Sequence, residues 1–269
     1  MIGDFYKNKV NRLFIILGGF FVTNALIAEF IGVKIFSLEK TFGFEPFSVS
    51  IFGVDGLGFN LTAGVVLWPI VFVMTDVINE YFGEKGVRFL SHMAVGFILY
   101  AFVMVYMAIS LSPNGWWQFE SGVVEGDPSS TLADMDLAFK RIFGQGLWII
   151  VGSLVAFLVG QIVDVFTFHK IKQKTGEKKV WLRATGSTLV SQFIDSFVVL
   201  IIAFYIGSDW DLVRVLAIGC VNYTYKFIIA VILTPAIYLA HHWIDSYLGK
   251  ETADRLKLEA TGKFVKSTP

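Results

Sequence analysis

The sequence predicts an all-α polytopic membrane protein with six transmembrane helices, some of them kinked, and both termini in the cytoplasm. Three observations predict it. Of 269 residues, 55% are hydrophobic and only 16% are charged, where a soluble domain carries about a quarter charged. Several apolar runs approach the roughly 20 residues needed to span a bilayer. Lysine and arginine gather in alternate loops, as the positive-inside rule requires.

The predicted spans cover residues 13–36, 61–82, 87–111, 146–168, 180–206 and 212–243. The first follows "MIGDFYKNKVNR", exceeds a signal-peptide core in length and shows no cleavage site, so it reads as a membrane helix and not a leader. After it, "FGFEPFSVSIFGVDGLGFN" is rich in glycine and aromatics and predicts an extended or hairpin segment at the outer surface. The second span, "LTAGVVLWPIVFVM", runs into "TDVINEYFGEK", where Gly83 is a natural terminator. Pro69 in the second span and Pro235 in the sixth remove backbone hydrogen bonds, and with Gly64 they suit helices that kink around a cavity.

The outer loop, residues 112–145, opens on "SPNGWWQFESG", where Trp116 and Trp117 suit a membrane interface. It carries Glu120, Glu125, Asp127, Asp134 and Asp136. Within it "LADMDLAFKRIF" places Leu132, Met135, Phe139 and Phe143 on one helical face. That predicts a short amphipathic helix, lying on the membrane or capping an entrance. The last two spans exceed the hydrocarbon thickness and permit tilt. A basic cytoplasmic tail, residues 245–269, closes a single transmembrane domain, 1–269.

Orientation rests on sixteen basic residues on one side: Lys7, Lys9, Arg12, Lys85, Arg88, Lys170, Lys172, Lys174, Lys178, Lys179, Arg183, Lys250, Arg255, Lys257, Lys263 and Lys266. Five lie on the other: Lys34, Lys40, Lys140, Arg141 and Arg214. Formal net charge is zero, which gives no reason to expect nucleic acid as a partner. Cys220 is the sole cysteine and excludes an intramolecular disulfide. The histidines, His241 and His242 included, lack metal-site spacing, and no cofactor is implied. Nothing resembles a nucleotide-binding P-loop, so coupling to ATP would need a separate subunit.

Ionisable groups within hydrocarbon cost a few kcal/mol and normally face a cavity or a partner. Here they are Glu29, Asp76, Glu80, Asp164, Asp195 and Lys226, with Asn24, Thr75, Asn79, Gln161, Gln192 and Asn222 as uncharged companions. Asp76, Asn79 and Glu80 share one helical face, with Phe72 and Pro69 one and two turns earlier. Either this is a helix end among headgroups, or the carboxylates face the inside of a bundle. Asp195 and Lys226 lie at matching depth in consecutive spans. Either they form a structural salt bridge, or one that also touches cargo or exchanges a proton. "VGQIVDVF" and "VSQFIDSF" repeat Gln-x-x-Asp at a separation of 31 residues, from Asp164 to Asp195; transporter sites often lie at repeat interfaces.

Four stretches then resemble one known family. "LTAGVVLWPIVFVMTDVINEYFG", "VGQIVDVFTFHKIKQ", "STLVSQFIDSFVVLIIAF" and "VNYTYKFIIAVILTPAIYL", in that order, are similar to the queuosine-precursor transporters, integral membrane proteins of the vitamin-uptake-transporter type. The resemblance implies a bacterial cytoplasmic-membrane transporter, not an enzyme, that takes up 7-cyano- or 7-aminomethyl-7-deazaguanine for tRNA modification. Positions matching the family's polar pattern are Asp76, Gln161, Asp164, Asp195 and Lys226; Asn79 and Glu80 match some members. Gln192 stands where some relatives carry asparagine, and the outer insertion 118–130 is longer and more acidic than the family pattern.

A deazaguanine presents adjacent N–H donors on one edge, which a carboxylate accepts in bidentate fashion, while an amide reads the carbonyl edge. Trp68, Phe72 and Tyr223 are the candidates to stack on its faces, and Asn222 is a further polar candidate. The partners so implied are a small-molecule base and the lipid bilayer; a homo-oligomer is left open. Two rival functions remain at this stage. One is transport of another nucleobase or vitamin, alone or with an energising partner. The other is intramembrane aspartyl proteolysis by Asp164 and Asp195, which lack a Gly-x-Gly-Asp setting.

Overall fold

The computed structural model describes residues 7–120, 134–144, 146–175 and 180–260. Glu125, Asp127, Leu132, Lys178, Lys179, Lys263, Lys266 and most of the insertion 118–130 lie outside the described residues. What is described is a mostly α-helical, polytopic membrane protein. Five helical stretches are long and apolar enough to cross a membrane: Lys9–Ile31, Ala63–Ile109, Met135–Thr175, Leu182–Ile206 and Leu212–Leu248. Large apolar side chains such as Ile16, Phe20, Val103, Met107 and Ile232 remain exposed on them, as lipid-facing residues are.

The first helix, α1 (Lys9–Ile31), is capped by Asn8, whose side chain accepts the Val10 amide at 2.9 Å. It stops before the predicted boundary at residue 36, because the chain turns into a strand. That strand, β1 (Ile35–Ser37), pairs antiparallel with β4 (Asn60–Thr62), and β2 (Val49–Ile51) pairs with β3 (Val54–Leu57). The predicted hairpin is therefore present; Phe52 and Gly53, at φ 53° and 80°, form its two-residue turn. Glu39, in the single helical turn Leu38–Thr41, fastens the base of this unit. Its carboxylate accepts the Phe59 amide at 2.7 Å and the Ser37 hydroxyl at 2.9 Å. Burial disfavours the ionised form, but these hydrogen bonds outweigh it and hold the carboxyl below its ordinary range.

A 3₁₀ turn (Ala63–Val66) leads into α2 (Trp68–Ile109). A β-carbon on Gly64 would lie 2.5 Å from the Ala28 carbonyl oxygen, so glycine lets this turn touch α1. Pro69 sits in the first helical turn, where a missing N–H costs nothing. It does not kink a span, as the sequence had suggested. The break lies at Gly83, with φ 67° and ψ −174° inside the helix. Its consequence is large. Thr75 and Ser91 both donate to the same oxygen, Gln161 Oε1, at 3.2 and 3.3 Å, although a straight helix would hold them about 24 Å apart. The chain therefore doubles back at Gly83 into two arms, residues 68–82 and 84–109. Val71 and Ile78 of one arm and Leu90, Ala94 and Ile98 of the other enter one core with Phe21 and Ala25 of α1.

Such a conformation belongs almost exclusively to glycine and costs other residues about 1–3 kcal/mol. A β-carbon at Gly83 would also stand 3.1 Å from the Ala260 carbonyl oxygen. Gly83→Ala should lower stability by about 2–3 kcal/mol, read as a fall in the thermal midpoint of the purified protein in detergent. An unchanged midpoint would show that the reversal does not depend on this backbone geometry.

Two short helices, α3 (Gly115–Glu120) and α4 (Met135–Phe143), form the outer-loop cover. The Leu137 amide donates to Asp134, the α4 cap, and holds that carboxyl below its usual range. The predicted apolar face of α4 packs inward: Phe143 meets Phe30 at 6.4 Å and Phe139 meets Trp117 at 6.3 Å. It caps the end of α1, while Trp116 stays exposed.

The remaining bundle is α5 (Leu147–Thr175), α6 (Val180–Leu200) extended by a π-helical turn (Ile201–Ile206), and α7 (Leu212–Leu248), which contains Pro235. The predicted basic tail is largely a helix, α8 (Lys250–Ala260), docked by buried Ala253 and Leu256. Lys257 pairs with Asp245 at 2.8 Å, and the Tyr81 hydroxyl donates to the same carboxylate at 2.7 Å. This helix thus covers the Gly83 end of the bundle.

Candidate functional site

Hydroxyl and charged side chains of α6 meet the polar face of the first arm of α2, and the meeting is layered. Nearest Gly83, Glu80 is buried between two cations. Arg183 reaches its Oε1 at 2.6 Å, and Lys172 lies 3.1 Å from Oε2. Arg183 is 1% exposed and Lys172 is 5% exposed. Both count among the basic residues used for orientation; α5 runs past its predicted end at residue 168 and carries Lys172 inside, and α6 starts at Val180 as predicted and buries Arg183 in its first turn. Glu80 is accordingly enclosed within the bundle and held from both sides.

One turn deeper, Asp76 accepts hydrogen bonds from Ser187 at 3.2 Å and Thr188 at 2.9 Å. Asp164 of α5 accepts from Ser191 at 3.1 Å, and its second oxygen has no partner. Asn79 is fully buried with both amide atoms unpartnered. These hydroxyl donors were missed by sequence reasoning; the density of Ser and Thr in "RATGSTLVSQ" within a span was the available signal.

Deeper again, Lys226 of α7 and Asp195 of α6 form the expected pair, at 2.5 Å. Gln192, one turn before Asp195, is 1% exposed, and neither of its amide atoms has a partner. Gly160 lies between Phe72 and Asp195, and a β-carbon there would stand 3.5 and 3.7 Å from them. Beyond this layer Ser153 donates to Glu29, which is close enough to Asp195 for the carboxylates to repel. Asn24, by contrast, only returns a bond to the Phe20 carbonyl.

Pro69, Val73, Thr185, Thr188, Gln192, Lys226, Ala230 and Ile237 enclose a cavity of about 10 Å³ in this region. That is room for roughly one water, far short of a planar base. The helices must part for cargo to enter, so the site is closed here. A larger groove, about 930 Å³, runs beside Gly83 between the second arm, α5 and the end of α8. It shares Gln161 and Ser91 with the interior, but its wall includes Ile162 and Phe166, 69% and 58% exposed. Glu84, Lys85, Arg88, His169 and Glu259 also line it, so it opens at the charged Gly83 end of the bundle and apart from the closed cavity.

The structure brings together Asp76, Asn79, Asp164, Gln192, Asp195 and Lys226 in one polar column between α2, α5, α6 and α7. Gln161 ties the two arms of α2 to α5, and Glu80 belongs to its own ion cluster. Phe72 is buried beside the column. Trp68 packs on Phe157 at 5.4 Å in the apolar core. Tyr223 meets Phe193 and Phe227, which are both exposed, on the outer side of the bundle. Neither ring reaches the cavity wall. Asn222 is half-buried one turn from Lys226. Among the described residues no cluster of three His, Cys, Asp or Glu is arranged to hold a metal.

Comparison with known proteins covers most of the chain. A family model described as "Putative vitamin uptake transporter" matches residues 62–240, which include every layer of this column except Glu29. A "Probable queuosine precursor transporter" of Bacillus subtilis (strain 168) is 30% identical over 198 residues, covering 72% of this chain and 77% of the relative. The "Queuosine precursor transporter" of Escherichia coli (strain K12) is 27% identical over 208 residues, covering 77% and 83%. A "Probable queuosine precursor transporter" of Haemophilus influenzae is 26% identical over 216 residues, covering 78% and 83%. No solved structure gives a significant match. With bacterial relatives of this kind and several apolar spans around a buried polar column, the chain belongs to the vitamin-uptake-transporter family that contains the queuosine precursor transporters, and is a multi-pass transporter of the bacterial cytoplasmic membrane.

Proposed function

We propose that this protein imports queuosine precursors, 7-cyano-7-deazaguanine and/or 7-aminomethyl-7-deazaguanine, into the cytoplasm. The observation that carries the reading is the family match, which runs from residue 62 to 240 and so contains the closed cavity with Gln192 and Lys226 on its wall. In this reading the two arms of α2 each cross the bilayer, giving six crossings with both termini cytoplasmic. The basic residues of the Gly83 end then face the cytoplasm.

The chemistry supports a guanine-like cargo. Asp195, held in place by Lys226, accepts the paired N–H donors of the base. The unpartnered Gln192 amide reads its carbonyl edge, and Phe72 lies against the ring as the helices part. Import requires the Glu80–Arg183–Lys172 layer to open on the cytoplasmic side after cargo has entered from the other.

The test is rescue of queuosine in tRNA. A bacterial strain lacking both its own transporter and precursor synthesis would express this chain while supplied with each base in turn. Queuosine should reappear with one or both 7-deazaguanines and not with unrelated nucleobases or vitamins. Rescue by neither base, with the protein present in the membrane, would transfer the cargo assignment to another small molecule.

A further inference from the structure

Asp76 of α2 and Asp164 of α5 are the two carboxylates of the hydroxyl-lined layer of the column. Among the described residues neither has an ion pair, and every donor to them is a hydroxyl: Ser187 and Thr188 to Asp76, Ser191 to Asp164. Ser187, which serves Asp76, and Ser191, which serves Asp164, lie one turn apart on α6. Asp76 is 1% exposed and Asp164 0%. Two uncompensated charges so placed are costly.

The charged groups around them are already committed. On α2, Glu80 is held by Arg183 of α6 and Lys172 of α5. Asp195 of α6 is held by Lys226 of α7. On α7, His241 faces Tyr81, and Asp245 is paired with Lys257 of α8. His169 of α5 borders the larger groove. In the column there remain an open carboxylate oxygen, Asp164 Oδ2, and the buried Asn79 and Gln192 amides, for which the described residues supply no partner.

We propose that the Asp76–Asp164 pair is a proton-binding site that couples cargo movement to the proton gradient. This rests on the transport reading above. One proton from the outer side binds at Asp164 Oδ2, becomes the O–H of a neutral carboxyl, and leaves to the cytoplasmic side once the Glu80 layer opens. It removes one of the two charges, so the bundle can close over the cargo and pass it on. A proton needs a single open oxygen, whereas a sodium ion needs several converging ones, and here the hydroxyls are turned toward the carboxylates as donors.

Two measurements test this. In proteoliposomes, an acidic exterior should drive accumulation of labelled deazaguanine; for one proton per cargo, a gradient of one pH unit supports up to about tenfold. A protonophore should abolish the accumulation. Asp164→Asn should lose it, and any uptake that remains should no longer respond to the pH gradient. Accumulation that follows sodium, that ignores the pH gradient, or that survives in Asp164→Asn would overturn the proposal.

The second measurement needs no cargo. Infrared spectra of the purified protein should contain the carbonyl stretch of a protonated, buried carboxyl that disappears in Asp164→Asn. Its absence from the wild-type spectrum, or its persistence in the variant, counts equally against the site. Failure of base uptake in the wild type with this band intact would instead fault the cargo assignment alone.

Discussion

Asp195→Asn should reduce uptake of labelled precursor by about a hundredfold. The substitution keeps the shape of the side chain but leaves the Lys226 ammonium buried without its counter-charge, where it now stands 2.5 Å from the carboxylate. Truncating one partner of a buried, hydrogen-bonded charge pair costs about 2–5 kcal/mol, and about 2.7 kcal/mol corresponds to a hundredfold. Lys226→Met should be as severe, because Asp195 then lacks its holder.

The decisive comparison is the double variant Asp195→Asn with Lys226→Met. If the pair only rivets α6 to α7, removing both charges relieves the penalty, since neutral replacements of buried ion pairs are often tolerated. Uptake would then recover. If Asp195 reads the donor edge of the base, the neutral pair restores the fold and leaves uptake lost. The thermal midpoint, measured alongside, separates a folded but inactive protein from an unfolded one. Recovery of uptake in the double variant would remove this pair from the binding site.

The largest effect on stability should come from Arg183→Ala, with a loss of about 3 kcal/mol. Arg183 is 1% exposed and reaches Glu80 Oε1 at 2.6 Å; its guanidinium also lies over the Phe168 ring, 5.8 Å from the centroid. Deleting it leaves Glu80 with Lys172 alone, and breaking a buried ion cluster from one side is costed at about 3–5 kcal/mol. Lys172 offsets part of that, which places the estimate at the low end. Unfolding can be followed by labelling of Cys220, the sole thiol of the chain. Replacing Glu80 by Gln in the Arg183→Ala background should recover some of the loss, because the buried anion goes too. A midpoint unmoved by Arg183→Ala would mean that water or neighbouring side chains replace the guanidinium without cost, and that this layer does not hold the Gly83 end of the bundle together.

Much of this was legible in the chain. The long apolar runs marked the spans, and the matching depths of Asp195 and Lys226 predicted their pairing. The aromatic and glycine-rich stretch after the first span predicted the hairpin. Two features were misplaced for one reason. Lys172 was counted as a loop charge, and Pro69 was read as a kink. Each assignment depends on where a helix begins or ends, and ends are the part of a helix that local periodicity defines least. Two or three additional turns carry a basic residue from water into the bundle.

What the sequence determined by itself is the solvent and the inventory: a chain built for lipid, carrying a fixed set of polar groups that hydrocarbon obliges to find partners. Periodicity also determined which of those groups share a helical face and roughly how deep each lies. Only the tertiary structure decided who partners whom. It decided that Gly83 reverses the chain so that Thr75 and Ser91 meet one glutamine, that Glu80 takes both cations, and that Asp76 and Asp164 receive hydroxyls alone. The physical reason is that faces and depths are local properties of a helix. Pairings between residues a hundred positions apart depend on how helices are packed around one another, which no single segment encodes.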